Sequence, residues 1–96
     1  MTKTVLAMTS MKVGGSKALE QYLFIVGGLM EAAGARLISR YEVTETLCGS
    51  EPPHYVSIIE YPNDQAIRMV FDHPDYRSLE QVKDLAFSRY DVCVVS

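Results

Sequence analysis

The sequence predicts an α+β domain over residues 1–96, with strands and helices in the order β-α-β-β-α-β. Its 96 residues, 48% of them hydrophobic and 22% charged, have the size and composition of one globular domain. Four short segments carry apolar residues with a period of two, which is typical of strands. The longer segments between them repeat apolar residues every three or four positions, which is typical of helices.

The first half of the chain predicts a strand, a long helix and a second strand. The first strand covers residues 3–9 and is apolar on both faces. A helix follows from Ser16, a good N-cap residue, to about Ala33, and Gly34 suits the position that ends it. Its buried face is predicted to comprise Leu19, Leu23, Val26, Met30 and Ala33. The second strand covers residues 35–47.

Two adjacent glycines, Gly27 and Gly28, fall in the middle of this predicted helix. Each costs about 1 kcal/mol relative to alanine, so the pair needs a structural reason. A close approach by a strand, a kink in the helix or room for a ligand would each supply one. Close strand packing is the commonest of the three, and we expect it here.

The second half predicts a loop, a third strand and a second helix. Residues 49–53 contain glycine, serine and two prolines and form the loop. The third strand runs from His54 to Tyr61 and alternates two faces. One face carries Tyr55, Ser57, Ile59 and Tyr61; the other carries Val56, Ile58 and Glu60. Asn63 caps a helix from Asp64 to about Phe71.

The second helix is predicted to break at His73-Pro74. A further helical segment begins at Ser78, because Ser78 and Gln81 have the spacing of a capping box. The last strand covers residues 90–95. Right-handed crossovers then place the first and third strands at the centre of an antiparallel sheet with both helices on one face. This arrangement is the ferredoxin-like fold.

The strands carry apolar residues on both faces, but the helices can cover only one of them. A second subunit packed sheet against sheet is the simplest cover for the other face, so we expect a homodimer.

Charge and hydropathy exclude several classes of function. A net charge of −3 without a basic cluster gives no electrostatic basis for binding nucleic acid or anionic lipid. No apolar run approaches the roughly 18 residues of a membrane span, and the N-terminal run is too short for a signal peptide. We expect a cytoplasmic protein in which Cys48 and Cys93 are buried free thiols. Glu51, His54 and His73 match no recognised metal-ligand spacing, so we expect no metal.

Short motifs along most of the chain resemble a known family. These are Gly34-Ala35-Arg36, Ile59-Glu60-Tyr61-Pro62, Pro74-Asp75-Tyr76 and Lys83. They are similar to motifs of the domain-of-unknown-function family thirteen-thirty, in the dimeric α+β barrel superfamily. The chain departs from that pattern at Cys48, where the family usually has an acidic residue. The resemblance implies a homodimeric α+β barrel.

The segment His73-Pro74-Asp75-Tyr76 is also similar to the H-P-x-H segment of stress-responsive barrel cyclases. In those cyclases the second histidine is the acid/base residue, but Tyr76 holds that position here. The tyrosine that partners it there corresponds to Val70. The chain looks as similar to the small barrel proteins of prodigiosin-type pigment biosynthesis as it does to these cyclases.

We predict His73 and Tyr76 as the catalytic pair. An imidazole is well suited to general acid/base work near neutral pH, which favours His73, although His73 can equally mark the helix break. The phenol of Tyr76 can donate a hydrogen bond to a substrate carbonyl, or simply pack. Asp75 either complements the helix dipole or orients His73, and it is also counted among the predicted substrate-binding residues.

Further residues are predicted to bind the substrate. Arg40 either pairs with Glu60 on the neighbouring strand or holds a substrate carboxylate. Aromatic and imidazole side chains would line a cavity between the sheet and the helices. These candidates are Tyr22, Tyr41, His54 and Tyr61. Tyr41 and Tyr61 fit the core or the dimer interface at least as well, and His54 fits an ordinary loop end.

These residues predict a cofactor-free enzyme for a small hydrophobic substrate, aromatic or polyketide-like. The reaction would be a proton transfer in a cyclisation, an isomerisation or a lyase step. Two alternatives remain open. One is a cofactor-free monooxygenase, and the other is a non-catalytic protein that binds a pathway intermediate.

Overall fold

A four-stranded antiparallel sheet forms one layer of the structure, a computed structural model that describes residues 1–96. The elements are, in order, β1 (Lys3–Met11), α1 (Ser16–Ala32), β2 (Arg36–Glu42), β3 (Tyr55–Tyr61), α2 (Asp64–Phe71), α3 (Pro74–Arg77), α4 (Glu80–Ala86) and β4 (Phe87–Val95). The strand order β2-β3-β1-β4 places β1 and β3 at the centre, as predicted. The fold is ferredoxin-like α+β.

Strand register separates the two faces of the sheet. Val5 of β1 lies opposite Ile59 of β3 and Val94 of β4. Val5 and Ile59 are buried against α1 and α2. The core cluster on this side comprises Val5, Ala33, Ile59, Tyr61, Ala66, Ile67 and Val70. The helices therefore cover this face, and burial of the aliphatic side chains stabilises it by roughly 1.5–3 kcal/mol each.

The opposite face of the sheet carries the alternate side chains and has no helix over it. Leu6 of β1 lies opposite Ile58 of β3 and Cys93 of β4, and Tyr41 lies opposite Val56. We call this surface the outer face, and it comprises Leu6, Met8, Tyr41, Val56, Ile58 and Cys93. Leu6, Met8, Val56 and Ile58 are only partly buried, and Tyr41 is exposed. The predicted second apolar face of the sheet is thus present.

Of the two predicted ends of α1, the C-terminal end is confirmed and the N-terminal cap is wrong. Gly34 has a φ of +78° and donates its N–H to the carbonyl of Glu31 at 3.1 Å. The N–H of the next residue, Ala35, donates to the carbonyl of Met30 at 3.0 Å. These two bonds form the Schellman motif that favours glycine, so the predicted helix end is confirmed. At the start, Gly15 occupies the N-cap and Ser16 is already helical, so the predicted serine cap is wrong.

The break after α2 is confirmed, but the helix beyond it starts differently. Asn63 caps α2 by accepting a hydrogen bond from the N–H of Ala66 at 2.8 Å. The Ser78 hydroxyl donates to the carbonyl of Asp75 at 2.9 Å, at the end of α3. Helix α4 begins at Glu80 after Leu79, with no side-chain cap. The predicted capping box is therefore wrong, because Ser78 closes the short α3 turn.

Strand lengths also differ from the prediction. Strand β2 ends at Glu42, and the N–H of Val43 makes one more bond, to the carbonyl of His54 at 2.8 Å. The segment opposite then contains Pro52 and Pro53, which have no N–H to donate, so the ladder stops there and not at residue 47. Strand β4 starts at Phe87, directly after α4 and earlier than predicted.

Three predicted side-chain environments are corrected by the structure. Arg36, not Arg40, pairs with Glu60, at 2.9 Å. The strand register explains this, because Arg36 lies opposite Glu60 and Arg40 lies opposite Ser57. The predicted burial of both cysteines is also wrong: they are free thiols, but both are exposed.

No helix of the chain is long and apolar enough to span a membrane.

The mid-helix glycines do not make the close strand contact that we expected. A Cβ atom built on Gly27 or on Gly28 meets no heavy atom within 4 Å. Gly15 is the glycine that packs tightly, because its Cβ would collide with the carbonyl oxygen of Leu85 and lie 3.2 Å from the Cα of Ala86.

These contacts predict opposite effects for two alanine substitutions. Gly15→Ala is expected to lower the free energy of unfolding by about 1–3 kcal/mol, because backbone atoms block the added methyl group. Gly28→Ala is the matched control and is expected to raise it by about 1 kcal/mol through helix propensity. Urea denaturation of the two variants measures both changes. Equal effects of the two substitutions would contradict the packing described here.

Candidate functional site

An apolar groove of about 180 Å³ lies between α1 and the helix-covered face of the sheet. From α1 it is lined by Leu19, Tyr22, Leu23, Val26, Gly27 and Met30. From the sheet it is lined by Ala7, Thr9, Met11, Arg40, Ser57, Phe87, Tyr90 and Val92. Space remains because small residues face each other: Ala7 and Ser57 are neighbours on β1 and β3, and Gly27 of α1 has no side chain.

Three phenol groups and one ammonium group form a hydrogen-bonded chain beside this groove. The hydroxyls of Tyr22 and Tyr90 are 2.6 Å apart, and those of Tyr90 and Tyr76 are 2.9 Å apart. The Nζ of Lys83 donates to the hydroxyl of Tyr76 at 3.4 Å. We call this set the phenol chain. Its members come from α1, β4, α3 and α4, so the tertiary fold alone brings them together.

Aromatic packing fixes the rings of the phenol chain. Tyr22 meets Phe87 edge to face with ring centroids 5.0 Å apart, and Tyr76 meets Phe71 in the same way at 5.0 Å. Tyr22 and Tyr90 also pack edge to face, at 5.7 Å. Edge-to-face pairs of this kind are favourable beyond the area that they bury. The hydroxyl groups are therefore held in place before any ligand arrives.

Burial makes two of these phenols very weak acids. It is the largest cause that raises the pKa of Tyr22 and of Tyr90 well above the usual value of a tyrosine. Both phenols are therefore neutral near pH 7 and can act as hydrogen-bond donors. Lys83 provides a positive charge nearby: its side chain is only 15% exposed, and its Nζ lies 4.7 Å from the Tyr76 ring centroid and 4.9 Å from that of Tyr90.

Counting donors shows what the phenol chain offers to the groove. Three hydroxyl protons serve two phenol–phenol hydrogen bonds, so one proton is left over. Lys83 can only donate, so Tyr76 accepts from it, and either partner can donate in each phenol–phenol bond. Tyr22 and Tyr90 both line the groove. Either of these two hydroxyls can therefore turn its proton toward a bound molecule while the chain stays connected.

The predicted catalytic histidine lies away from the groove. The Nδ1 of His73 accepts a hydrogen bond from the N–H of Asp75 at 3.0 Å, so the imidazole caps α3. The carboxylate of Asp75 is 3.9 Å from the same nitrogen and is mostly exposed. Tyr76 is buried in the phenol chain, three residues farther along. The structure therefore does not bring His73 and Tyr76 together as a pair at the groove.

The other predicted binding residues are spread over four environments. Tyr22 and Arg40 line the groove. His54 lies in a separate, polar cavity of about 480 Å³ at the β2–β3 connection, where its Nδ1 accepts from the N–H of Met11 at 3.1 Å. Tyr41 is exposed on the outer face. Tyr61 is 1% exposed in the core, where burial raises its pKa to about 12.

No three histidine, cysteine or acidic side chains lie close enough together to hold a metal ion.

Comparison with protein families gives a match over nearly the whole chain. The model of a domain of unknown function, DUF1330, matches residues 4–96. The chain belongs to this family. No curated protein matches it.

Several solved structures are similar to this DUF1330 protein in fold. A protein of unknown function from Rhodopseudomonas palustris has a TM-score of 0.83 at 19% identity, over 98% of this chain and 80% of that one. A dimeric ferredoxin-like protein of unknown function from Thermobifida fusca has a TM-score of 0.57 at 13% identity, over 100% and 91% of the two chains. SnoaB from Streptomyces nogalater, a cofactor-independent oxygenase, has a TM-score of 0.64 at 10% identity, over 99% and 91%.

Sequence reasoning missed Tyr90 and gave Lys83 no role beyond the family resemblance. One signal for Tyr90 was available: it has the same strand parity as Val92, so both face the helices. Lys83 lies seven residues after Tyr76, a spacing of about two helical turns. The break between α3 and α4 obscured that spacing, and only the tertiary structure shows the contact.

The buried tyrosines predict a loss of stability at alkaline pH. Tyr22, Tyr61 and Tyr90 have raised pKa values in the folded state. Their contribution to stability is complete below the unfolded pKa of about 10 and is lost as the pH rises through the folded values. Each should lower the free energy of unfolding by about 1.4 kcal/mol per pH unit above pH 10. Urea denaturation at pH 9, 10 and 11 measures this slope.

A Tyr90→Phe variant should show a shallower slope, because one of the three groups is removed. Tyrosinate absorbance measures ionisation, and circular dichroism measures unfolding. Ionisation of all six tyrosines near pH 10 without unfolding would contradict the raised pKa values of the three buried ones.

Proposed function

We propose that this DUF1330 protein is a cofactor-independent enzyme that catalyses proton transfer on a small hydrophobic molecule bound in the groove. The molecule would be aromatic or polyketide-like, and the reaction a cyclisation or isomerisation through an enol. The observation that carries this proposal is that Tyr22 and Tyr90, two members of the phenol chain, line an apolar groove. A neutral donor in an apolar site stabilises negative charge that develops on a carbonyl oxygen.

In the proposed reaction the protein supplies hydrogen-bond donors, and the substrate supplies the acidic C–H bond. No carboxylate or imidazole lines it, so the protein has no obvious base there. A β-dicarbonyl or polyketide-like compound supplies its own acidic C–H bond and forms an enolate readily. Tyr22 or Tyr90 would hold the enolate oxygen by a hydrogen bond, and the positive charge of Lys83 would strengthen that bond through Tyr76. A water molecule in the groove would take up the C–H proton. Return of a proton to a different carbon of a conjugated enolate gives the isomer. In a cyclisation, the enolate carbon instead attacks a second carbonyl carbon of the same molecule, whose oxygen takes up the proton.

The exchange of α-protons on a simple ketone tests this function. We expect the protein to accelerate deuterium incorporation into 2-tetralone in D₂O, followed by NMR. Tyr90→Phe removes one hydroxyl from the phenol chain and should slow this exchange by about 10–100-fold. Phe24→Tyr, which adds one hydroxyl to an exposed ring outside the groove, is the matched control and should have no effect.

His73→Asn separates the phenol chain from the earlier imidazole hypothesis. Asparagine keeps an acceptor for the N-cap of α3, so the fold should be retained and the exchange rate unchanged. Loss of exchange in His73→Asn with full activity in Tyr90→Phe would contradict our proposal and favour His73 as the acid/base residue.

Cofactor-independent oxygenation is the second candidate, because SnoaB is described as such an enzyme and shares this fold. An enolate held in an apolar groove is also an electron-rich species that dioxygen could attack. Product formation that stops when dioxygen is removed would favour oxygenation; proton exchange that continues anaerobically favours isomerisation or cyclisation.

We also propose that the active form is a homodimer joined through the outer face. Two of the structures with a similar fold are described as dimeric. Leu6, Met8, Val56 and Ile58 form a contiguous apolar patch on the central strands, and no element of this chain covers it. A second copy would bury the same patch on both subunits, as a twofold interface requires.

A charge at the centre of the outer face should separate the subunits. Ile58→Lys changes a side chain that points away from the core, so the monomer should fold normally. We expect the dimer dissociation constant to rise by at least about 30-fold, since a buried hot-spot residue contributes 2 kcal/mol or more. Light scattering after size exclusion measures the mass. Val13→Lys at a fully exposed site is the control. A dimeric Ile58→Lys protein would contradict the interface.

A further inference from the structure

We propose that the groove takes an anionic ligand, an aromatic carboxylate of two or three rings whose carboxylate is bound by Arg40. The opposite end of the ligand would present a carbonyl or hydroxyl oxygen to the phenol chain. This inference rests on the proposed function and deepens it, because it assigns the chemical class of the molecule that the same groove binds.

Arg40 is the only charged residue that lines the groove, and its guanidinium group is free to bind an anion. It makes no ion pair with any acidic side chain within 4.0 Å. Other cations of the chain do have such partners: Arg36, Arg77, Lys83 and Arg89. Glu42, two residues along the same strand, lines the neighbouring cavity instead of the groove.

The guanidinium group is also held in a defined place. Its central carbon lies 4.5 Å from the centroid of the Tyr55 ring, which is a cation–π contact. A cation–π contact uses the face of the ring and no hydrogen-bond acceptor, so N–H donors of the guanidinium group remain available. Those donors match the two oxygens of a carboxylate.

The distance across the sheet sets the size of the ligand. Arg40 lies on β2 and Tyr90 on β4, the two outermost strands, with β3 and β1 between them. Three strand spacings amount to roughly 14 Å between the backbones, and Arg40 shortens this span because its guanidinium group lies over Tyr55 of β3. A molecule of two or three rings fits that length. Ala7 and Ser57 form a low floor between the two ends, and a flat ring can lie on it.

The net charge of the protein gives no general attraction for anions. At −3 the chain as a whole does not draw anions in, so an unpaired positive group at the site has to supply the attraction. Arg40 meets this requirement at one end, and the ammonium group of Lys83 lies behind the phenol chain at the other.

Binding of 6-hydroxy-2-naphthoate tests the inference, with its methyl ester as the neutral comparison. We expect the wild-type protein to bind the acid at least 10-fold more tightly than the ester, measured by titration calorimetry. Arg40→Met keeps the length of the side chain but removes its charge. It should abolish the preference for the acid and leave the affinity for the ester unchanged. Arg68→Met, at an exposed position outside the groove, should retain the preference.

Equal affinity of the wild-type protein for acid and ester would overturn the inference. So would a preference that survives in Arg40→Met, or the absence of binding by both compounds. The proposed function fails separately, because binding requires no turnover. A protein that selects the acid through Arg40 but does not exchange the protons of 2-tetralone contradicts only the enzymatic proposal. One that exchanges protons but ignores the carboxylate contradicts only the anionic ligand.

Discussion

Antiparallel pairing of β1 with both β3 and β4 is the constraint on which the rest of this structure depends. Because side chains alternate along a strand, this pairing places Val5 toward the helices and Leu6 away from them. A register shift of one residue would exchange the two faces and turn the core outward. The same register puts Tyr90 on the helix-covered face, opposite Thr9, where it meets Tyr22. The core, the outer face and the groove therefore follow from one pairing.

The helix-covered face is filled unevenly, and this produces the groove. Near α2, Tyr61 and Val70 fill the space completely and are almost inaccessible to solvent. Near the middle of α1, Ala7 of the sheet faces Gly27 of the helix, and neither has a side chain large enough to close the gap. The proposed enzymatic role would use both properties, since a rigid core holds catalytic groups in place while a gap admits the substrate.

Much of the fold was predictable from sequence because its signals are local. The period of two in the strands, the glycine at the end of α1 and the proline after His73 each act within a few residues. The groove was less predictable, because Tyr22, Tyr76 and Tyr90 meet through tertiary packing. The same limit explains the error at Ser78, whose pattern fitted a capping box although its hydroxyl was needed by the preceding turn. Residue chemistry alone favoured His73 as the functional residue, but tertiary packing places Tyr22 and Tyr90, and not His73, at the groove.

Both cations beside the groove are stabilised by aromatic rings. Arg40 lies over Tyr55, and Lys83 lies over Tyr76 and Tyr90. A carboxylate partner would neutralise a cation, whereas a ring stabilises the cation and leaves its charge in place. Arg40 has no carboxylate partner, and that of Lys83 is on the solvent-exposed side chain of Glu80. The groove therefore remains electropositive in a protein of net charge −3. Such a site stabilises the negative charge of a ligand's carboxylate. It also stabilises the negative charge that a reaction creates on an enolate oxygen. Ligand binding and catalysis would therefore depend on the same electrostatic property.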